Sequence, residues 1–316
     1  MADVFSVSMN VRFRRLEHRE GMLIEGSSGV GEFSPFWDYD VVESTAWLAS
    51  ALEAAEHGFP APVRDLVPVN CTVPAVGPEQ ATAIVAAPHG CRTAKVKVAE
   101  PGQSLDDDVA RVAAVRAALG RDGRVRVDAN GGWTVDEAQD AIGVLAEFDL
   151  EYVEQPVETV EDMAEVRRRV DVPIAADESI RRAEDPLRVK RLEAADIAVI
   201  KVAPLGGVRA CLRLAAELDL PVVVSSAIET SIGIAAGVAL AAALPDLPYA
   251  CGLATTSMLT RDVADPPLVP VDGVLQVRDV APAARLVDAV RADTETTRRW
   301  HERLAACRRV LESRAR

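Results

Sequence analysis

Two lysines stand two residues apart in TAKVKVA, residues 93–99, with valine after each. Side chains at i and i+2 of a β-strand share a face, so on a strand Lys95 and Lys97 point the same way. Two ammonium groups held side by side repel, and burial among alanine and valine pushes a lysine toward its neutral form. The pair needs anionic partners, and the chain offers them at intervals. Asp128 and Asn130 stand in VDANGG, Glu154 in VEQP, Asp177 and Glu178 in ADES; a third lysine, Lys201, follows in VIKV, and Ser225 and Ser226 in VVSSAIETSIG. From Lys97 through Asp128, Glu154 and Asp177 to Lys201 the steps are 31, 26, 23 and 24 residues. Three carboxylates converging on one place repel unless a cation sits among them. An all-oxygen set of this kind suits a hard divalent ion, magnesium first. Lysines beside such a centre can move a proton next to a substrate carboxylate or support the charge that develops there.

Each motif has an ordinary explanation when it stands alone. VDANGG is a strand entering an Asx-type turn, EQP a surface glutamate before a proline, ADES a helix N-cap, IKV a lysine at a sheet end, and K-x-K an edge strand protected by charge. Their common spacing calls for a scaffold that brings successive strand ends to one rim. Apolar strand-like runs at 67–73, 93–99, 124–130, 150–156, 172–178, 197–203, 221–227 and 248–254 alternate with amphipathic runs such as DDVARVAAVRAALG and TVDEAQDAIGVLAEF. Such alternation predicts an α/β fold with a parallel sheet covered by helices. Eight units in about 190 residues favour a (β/α)8-type barrel, whose active site lies at the C-terminal ends of the strands.

Ahead of the barrel, VFSVSMNVRF, GMLIEG, a glycine-rich loop EGSSGVGEFSPF and the helical VVESTAWLASALEAAEHG predict a small α+β unit. The arginine-rich tail TTRRWHERLAACRRVLESRAR reads as a solvated amphipathic helix. IGIAAGVALAAAL at 232–244 is too short to span a bilayer and reads as a buried helix.

With 316 residues, 49% of them hydrophobic, the chain can bury a sizeable core. A formal net charge of −14 argues against nucleic acid and anionic membrane as partners, while a small anionic carboxylate fits a lysine-lined pocket. Cys71, Cys91, Cys211, Cys251 and Cys307 are odd in number and form no C-x-x-C pair, which speaks against a disulfide framework or a zinc site. With no signal-type pattern in the first residues, a cytoplasmic location is expected. His18, His57, His89 and His301 all fall outside the strand ends, so no His-Asp base pair is expected.

The ordered set K-x-K (Lys95, Lys97), DAN (128–130), EQP (154–156), ADES (176–179), IKV (200–202) and SSAIETSIG (225–233) resembles the enolase superfamily, in its muconate-lactonizing subgroup, over almost the whole chain. The resemblance implies a modified (β/α)7β catalytic barrel over 66–274, and an α+β capping domain over 1–65 that is completed by about 275–316. It implies a magnesium-dependent lyase, with manganese able to substitute, in which Asp128, Glu154 and Asp177 ligate the metal. A short capping domain, Arg126 two positions before Asp128, SSAIETSIG and YACGLAT favour the members that dehydrate 2-succinyl-6-hydroxy-2,4-cyclohexadiene-1-carboxylate to 2-succinylbenzoate in menaquinone biosynthesis. Dipeptide epimerases of the subgroup carry an Asp-x-Asp pair at the eighth strand, which is missing here.

On that resemblance Lys97 would take the proton α to the carboxylate and then help the hydroxyl depart. Lys201 would stabilise the enediolate from the opposite face, and Lys95 would bridge to the carboxylate or lower the pKa of Lys97. Ser225, Ser226 and the backbone near Gly252 would meet the succinyl tail, with Asn130 and Arg126 also among the substrate-binding residues. Arg126 reads equally as a layer residue inside the barrel or as a charge that tunes Lys97. The loop GVGEFSPF would close over the substrate. N-succinylamino acid racemisation, or another acid-sugar or cycloisomerase activity of the subgroup, is the alternative. A Schiff-base aldolase using Lys201 and a metal-binding barrel without turnover are the rivals outside it. No obligate protein partner is implied.

Overall fold

The structure, a computed structural model, describes residues 3–13, 16–87 and 89–314. The outermost residues of the expected 1–65 and 275–316 segments, and residues 14, 15 and 88, lie outside the described residues. Alternation near the N-terminus produces an antiparallel pair, β1 (Asp3–Phe13) and β2 (Leu16–Glu25). A third strand, β3 (Val30–Phe33), pairs with β2. Half of GVGEFSPF, expected as a loop, is therefore a paired strand, and Ser34, Pro35 and Phe36 follow it. Glycine permits this: a Cβ at Gly31 would lie 1.9 Å from the carbonyl oxygen of Ala51, on the helix α1 (Val41–His57) that covers the sheet. A reciprocal cap starts α1, with the Glu43 amide donating to Asp40 (2.8 Å) and the Asp40 amide to Glu43 (3.0 Å).

The barrel follows as β4 (Leu66–Pro68), β5 (Cys71–Val73), α2 (Pro78–Val85), β6 (Thr93–Lys97), α3 (Leu105–Leu119), β7 (Arg124–Asp128), α4 (Val135–Leu145), β8 (Leu150–Glu154), α5 (Val160–Arg169) and β9 (Ile174–Ala176). Two single-turn helices, α6 (Glu178–Arg181) and α7 (Arg188–Arg191), lead to β10 (Ile197–Lys201), α8 (Val208–Leu218), β11 (Val222–Ser225) and α9 (Ser231–Ala243). Strands β5 to β11 form one parallel sheet in sequence order. Val96, Val127 and Val153 belong to the main apolar core. The alternate positions, in register as Lys95–Arg126–Tyr152 and Lys97–Asp128–Glu154, carry the polar side chains. The fold is a modified (β/α)7β barrel under a capping domain.

The expected eighth strand at 248–254 is reduced to two isolated bridges, Cys251 with Val69 and Gly252 with Ser225. Pro248 has no N–H to give a ladder, and Gly252 approaches β11 so closely that a Cβ would lie 2.6 Å from Ser225 Oγ. Arg126 supplements this closure. Fully buried, it donates to Asn70 Oδ1 (3.2 Å) and the Ala250 carbonyl (2.7 Å) and pairs with Glu151 (2.5 Å).

The chain ends in β12 (Val274–Gln276), paired with β4, then α10 (Ala284–Ala289) and α11 (Thr294–Arg314). The last helix is solvated on one face only. Trp300 is fully buried and meets Phe33 edge-on at 5.8 Å, while Arg303 donates to the carbonyls of Pro35 (3.1 Å), Phe36 and Tyr39 (2.7 Å each). Among the described residues no helix is long and apolar enough to cross a membrane. The five cysteines are free and buried.

Cap and barrel are fastened where β3 meets the N-terminus of α9. Glu32 accepts from the amide (3.1 Å) and hydroxyl (2.5 Å) of Thr230 and from the Gly233 amide (3.1 Å). Burial, then the like charge of Glu229, pushes the Glu32 carboxyl up to about 7, against the pull of Thr230, Arg19 and Ser34. The folded chain thus holds this proton more tightly than the unfolded chain, whose carboxyl titrates near 4.5. The stabilisation is full below that value and is lost as pH rises through about 7. Glu32→Gln, permanently neutral, should therefore gain in melting temperature relative to the unmodified chain between about pH 5 and about pH 8. A pH-independent difference in calorimetry would refute this.

Candidate active site

The rim formed by β6 to β10 gathers the charged residues. Lys95 Nζ donates to both oxygens of Glu154 (2.7 and 2.9 Å) and lies 3.2 Å from Asp128 Oδ2. Lys97 Nζ bonds Asp128 and donates to Asn130 Oδ1 (2.6 Å). Lys201 Nζ donates to Asp177 Oδ2 (2.6 Å), whose other oxygen accepts from Arg181 Nε (2.9 Å). The three lysines are 6 to 9% exposed and the three carboxylates 1% or less.

The carboxylates meet through the lysines, with Lys95 Nζ lying between Glu154 (2.7 Å) and Asp128 (3.2 Å). Among the described residues no three carboxylates stand together at metal-ligand spacing. Each is drawn instead to a cation of the chain, because a buried ion finds its best compensation in direct contact with an opposite charge. Asp177 also makes no side-chain cap for α6, contrary to the N-cap explanation of ADES; its carboxylate is taken by Lys201 and Arg181.

The electrostatics follow from these contacts. Burial raises Asp128, but Lys97 and Lys95 outweigh it and hold it well below the usual carboxylate range. Burial and Asp128, then Asp177, push Glu154 up to about 7, although Lys95 draws it down. Burial would depress Lys95, yet Glu154 and Asp128 prevail and keep it protonated. Lys201 is lowered to about 8, by burial first and then by Arg181 and Lys95, against Asp177.

The three lysines floor a cavity whose empty space, open mouth included, is about 510 Å³. Lys95, Lys97, Lys201, Ser225, Ser226 and Gly252 line it. Ser226 Oγ bonds the Gly252 carbonyl (2.7 Å) and the Thr255 hydroxyl (2.8 Å), so its orientation is set by the closing segment. Asp128, Glu154 and Asp177 lie behind the lysines and do not reach the cavity wall. Asn130 also stands outside it. With φ of +47°, it ties Lys97 to Glu178, into which its Nδ2 donates at 3.0 Å. Arg126 is not at the site. Its guanidinium carbon sits 4.7 Å from the Tyr152 ring centroid and 5.8 Å from that of Tyr249, and its bonds run to Glu151, Asn70 and Ala250. Neither Arg126 nor any of these partners lines the cavity, which is the layer position.

Phe36, Tyr39 and Trp47 reach the wall from the capping domain and Arg181 from α6. Of these only Phe36, the last residue of GVGEFSPF, belongs to a segment expected at the substrate. Arg181 follows Asp177 at the i,i+4 spacing of a helical pair, a weak signal on so short a helix. The aromatics lie in SPFWDYD and STAWLAS, which by themselves read as packing. Trp47 is fully buried, and its indole N–H finds no hydrogen-bond partner among the described residues.

With this geometry in hand, comparison with known proteins gives a consistent answer. Residues 78–282 match the family described as enolase C-terminal domain-like, and residues 4–55 the enolase N-terminal domain-like family. The chain is 63% identical to an o-succinylbenzoate synthase of Thermobifida fusca (strain YX), over 98% of this chain and 96% of that one. It is 55% identical to the protein of that name from Mycolicibacterium smegmatis, over 98% and 95%. Among solved structures, a muconate lactonizing enzyme from Pseudomonas fluorescens superposes with a TM-score of 0.82 at 22% identity, covering 92% of this chain and 98% of that one. The L-Ala-D/L-Glu epimerase of Bacillus subtilis does so with 0.76 at 23%, covering 90% and 96%. At such identities these two likenesses speak for the fold alone, whereas the family matches and the near-full-length relatives go further: the chain belongs to the enolase superfamily and, within it, to the family of the o-succinylbenzoate synthases.

Proposed function

We propose that this chain converts 2-succinyl-6-hydroxy-2,4-cyclohexadiene-1-carboxylate to 2-succinylbenzoate by syn-dehydration, a step of menaquinone biosynthesis, in the cytoplasm. Relatives of that name support the substrate. The observation that carries the chemistry is that Lys97 and Lys201 line one cavity from β6 and β10, four places apart in the sheet. A ligand between them meets one lysine on each face. Family membership replaces the aldolase reading of Lys201.

On this reading Lys97, in its neutral form, takes the proton from the carbon α to the carboxylate and hands it to the hydroxyl leaving from the same face. One C–H and one C–O bond break, a ring double bond forms, and water departs, so protons and electrons balance. Asp128 and Asn130 hold the Lys97 amine in place. Lys201 remains a cation on the opposite face and stabilises the charge that builds on the carboxylate. Ser225, Ser226 and Gly252 would receive the succinyl arm, while Phe36, Tyr39 and Trp47 exclude water from above.

Members of the superfamily depend on a divalent metal, and the donors here fit one. Three buried carboxylates offer hard oxygen ligands only, Lys95 spans two of them, and Glu154 is pushed upward by its neighbours even with Lys95 bonded to it. Asp128, Glu154 and Asp177 would hold the ion, which we take to be magnesium with manganese able to replace it, and which when bound supplies positive charge to the substrate carboxylate. The opposed lysines favour one further activity, racemisation of N-succinylamino acids, which needs a proton donor and an acceptor on opposite faces.

Incubation of the purified protein with the cyclohexadiene and magnesium should yield 2-succinylbenzoate; no turnover under these conditions would overturn the proposal. The roles of the lysines separate in a second experiment. Lys97→Ala and Lys201→Ala should each lower turnover by about 10²-fold or more. Lys97→Ala should in addition abolish deuterium exchange at the α-carbon of an N-succinylamino acid from the face that Lys97 serves. Exchange retained in Lys97→Ala would place the base on the other strand.

A further inference from the structure

Arg19, on β2, is 2% exposed and has no part in the chemistry above. Its Nε donates to the carbonyls of Ala227 (3.3 Å) and Ile228 (3.1 Å), just beyond β11. Its Nη2 donates to the carbonyl of Ser34 and to the Ser34 hydroxyl (3.0 Å), and its Nη1 to the Glu20 carbonyl (2.9 Å). Its guanidinium carbon lies 4.4 Å from the centroid of the Phe36 ring. Ala227, Ile228 and Phe36 all line the cavity, the first two from the barrel and the third from the cap. One buried side chain therefore grips both walls.

The bend that it grips needs holding. Ile228 adopts φ of +62°, a region that a β-branched residue rarely enters. Such a conformation persists only where the surroundings over-determine it. Arg19 secures two successive carbonyls of the bend, and Glu229 accepts from the Ala227 amide at 2.6 Å. Around the guanidinium, Ser34 Oγ donates to Glu32 Oε1 (2.7 Å), and Glu32 bonds Thr230 and Gly233 on the far side of the bend. Glu32 and Glu229 are the buried counter-charges of Arg19. A planar guanidinium can serve two carbonyls and stack on a ring at the same time, which a lysine cannot.

We propose that Arg19 is a positioning residue for the substrate: by bonding Ala227 and Ile228 and stacking on Phe36, it sets the separation of cap and barrel walls and so the fit of the bound molecule. The proposal rests on reading this cavity as the substrate site. Arg19 touches no reacting atom, so its loss should weaken binding of substrate and transition state alike. That raises KM and leaves kcat nearly unchanged.

The test compares Arg19→Met and Arg19→Lys with the unmodified enzyme in steady-state kinetics on the cyclohexadiene, in calorimetry, and in amide hydrogen exchange of the 225–233 segment. Both variants should raise KM roughly tenfold or more with kcat held within about threefold, and exchange over 225–233 should accelerate while that of β7 and β8 does not. A lower melting temperature with an unchanged KM would leave Arg19 a structural residue and overturn the proposal. If Arg19→Met fails to fold, Arg19→Lys decides, since it keeps a charge opposite Glu32 and Glu229. Absence of turnover in the unmodified enzyme would instead overturn the reading of the cavity, before any variant is made.

Discussion

Buried charge is the constraint on which the rest of this structure depends. Asp128, Glu154 and Asp177 end three neighbouring strands with almost no exposure, and an ionised carboxylate removed from water is tolerable only when paired and hydrogen-bonded. Lys95, Lys97, Lys201 and Arg181 meet that need from adjoining strands and the first turn beyond β9. The pairing is possible because strand alternation puts valine toward the helices and the charged residues inward. A one-residue slip of β6 would exchange the two sets. Register is thus specified by apolar core and charge array together.

The array then dictates what must surround it. Closely spaced ions keep their strength only where water is excluded, and a barrel mouth is open by construction. The capping domain supplies the cover through Phe36, Tyr39 and Trp47, and the chain's last helix holds that cover down, with Arg303 collecting the carbonyls of Pro35, Phe36 and Tyr39. Two further buried arginines join the parts where backbone pairing is thin. Arg126 ties β7 to the closing segment that forms only two bridges, and Arg19 ties β2 to the bend after β11.

Much of this was legible in the sequence because the inward set is polar and periodic. Lys95, Lys97, Asp128, Glu154, Asp177 and Lys201 come together from five strands whose apolar runs are plain to read, and Ser225, Ser226 and Gly252 line the cavity that the three lysines floor. What stayed hidden depends on contacts between distant segments. No local pattern tells that Gly31 lets a glycine-rich stretch lie as a strand on α1, that Trp300 belongs to a buried face, or that the carboxylates turn to lysines and not toward one another. Arg126 shows the limit well. Two positions before Asp128 it shares that residue's face, but how far up the barrel its guanidinium reaches is decided by Glu151, Asn70 and the Ala250 carbonyl, none of which is near it in sequence.

On the proposed reading Asp128, Glu154 and Asp177 together hold a divalent cation. A ligand bound by the folded chain alone raises its stability, by about 2.7 kcal/mol at a hundredfold excess over Kd. Calorimetry of the unmodified chain and of Glu154→Gln across a magnesium titration measures this without recourse to turnover. The melting temperature should climb with magnesium in the unmodified chain and barely move in Glu154→Gln. An equal rise in both, or none in either, would contradict it.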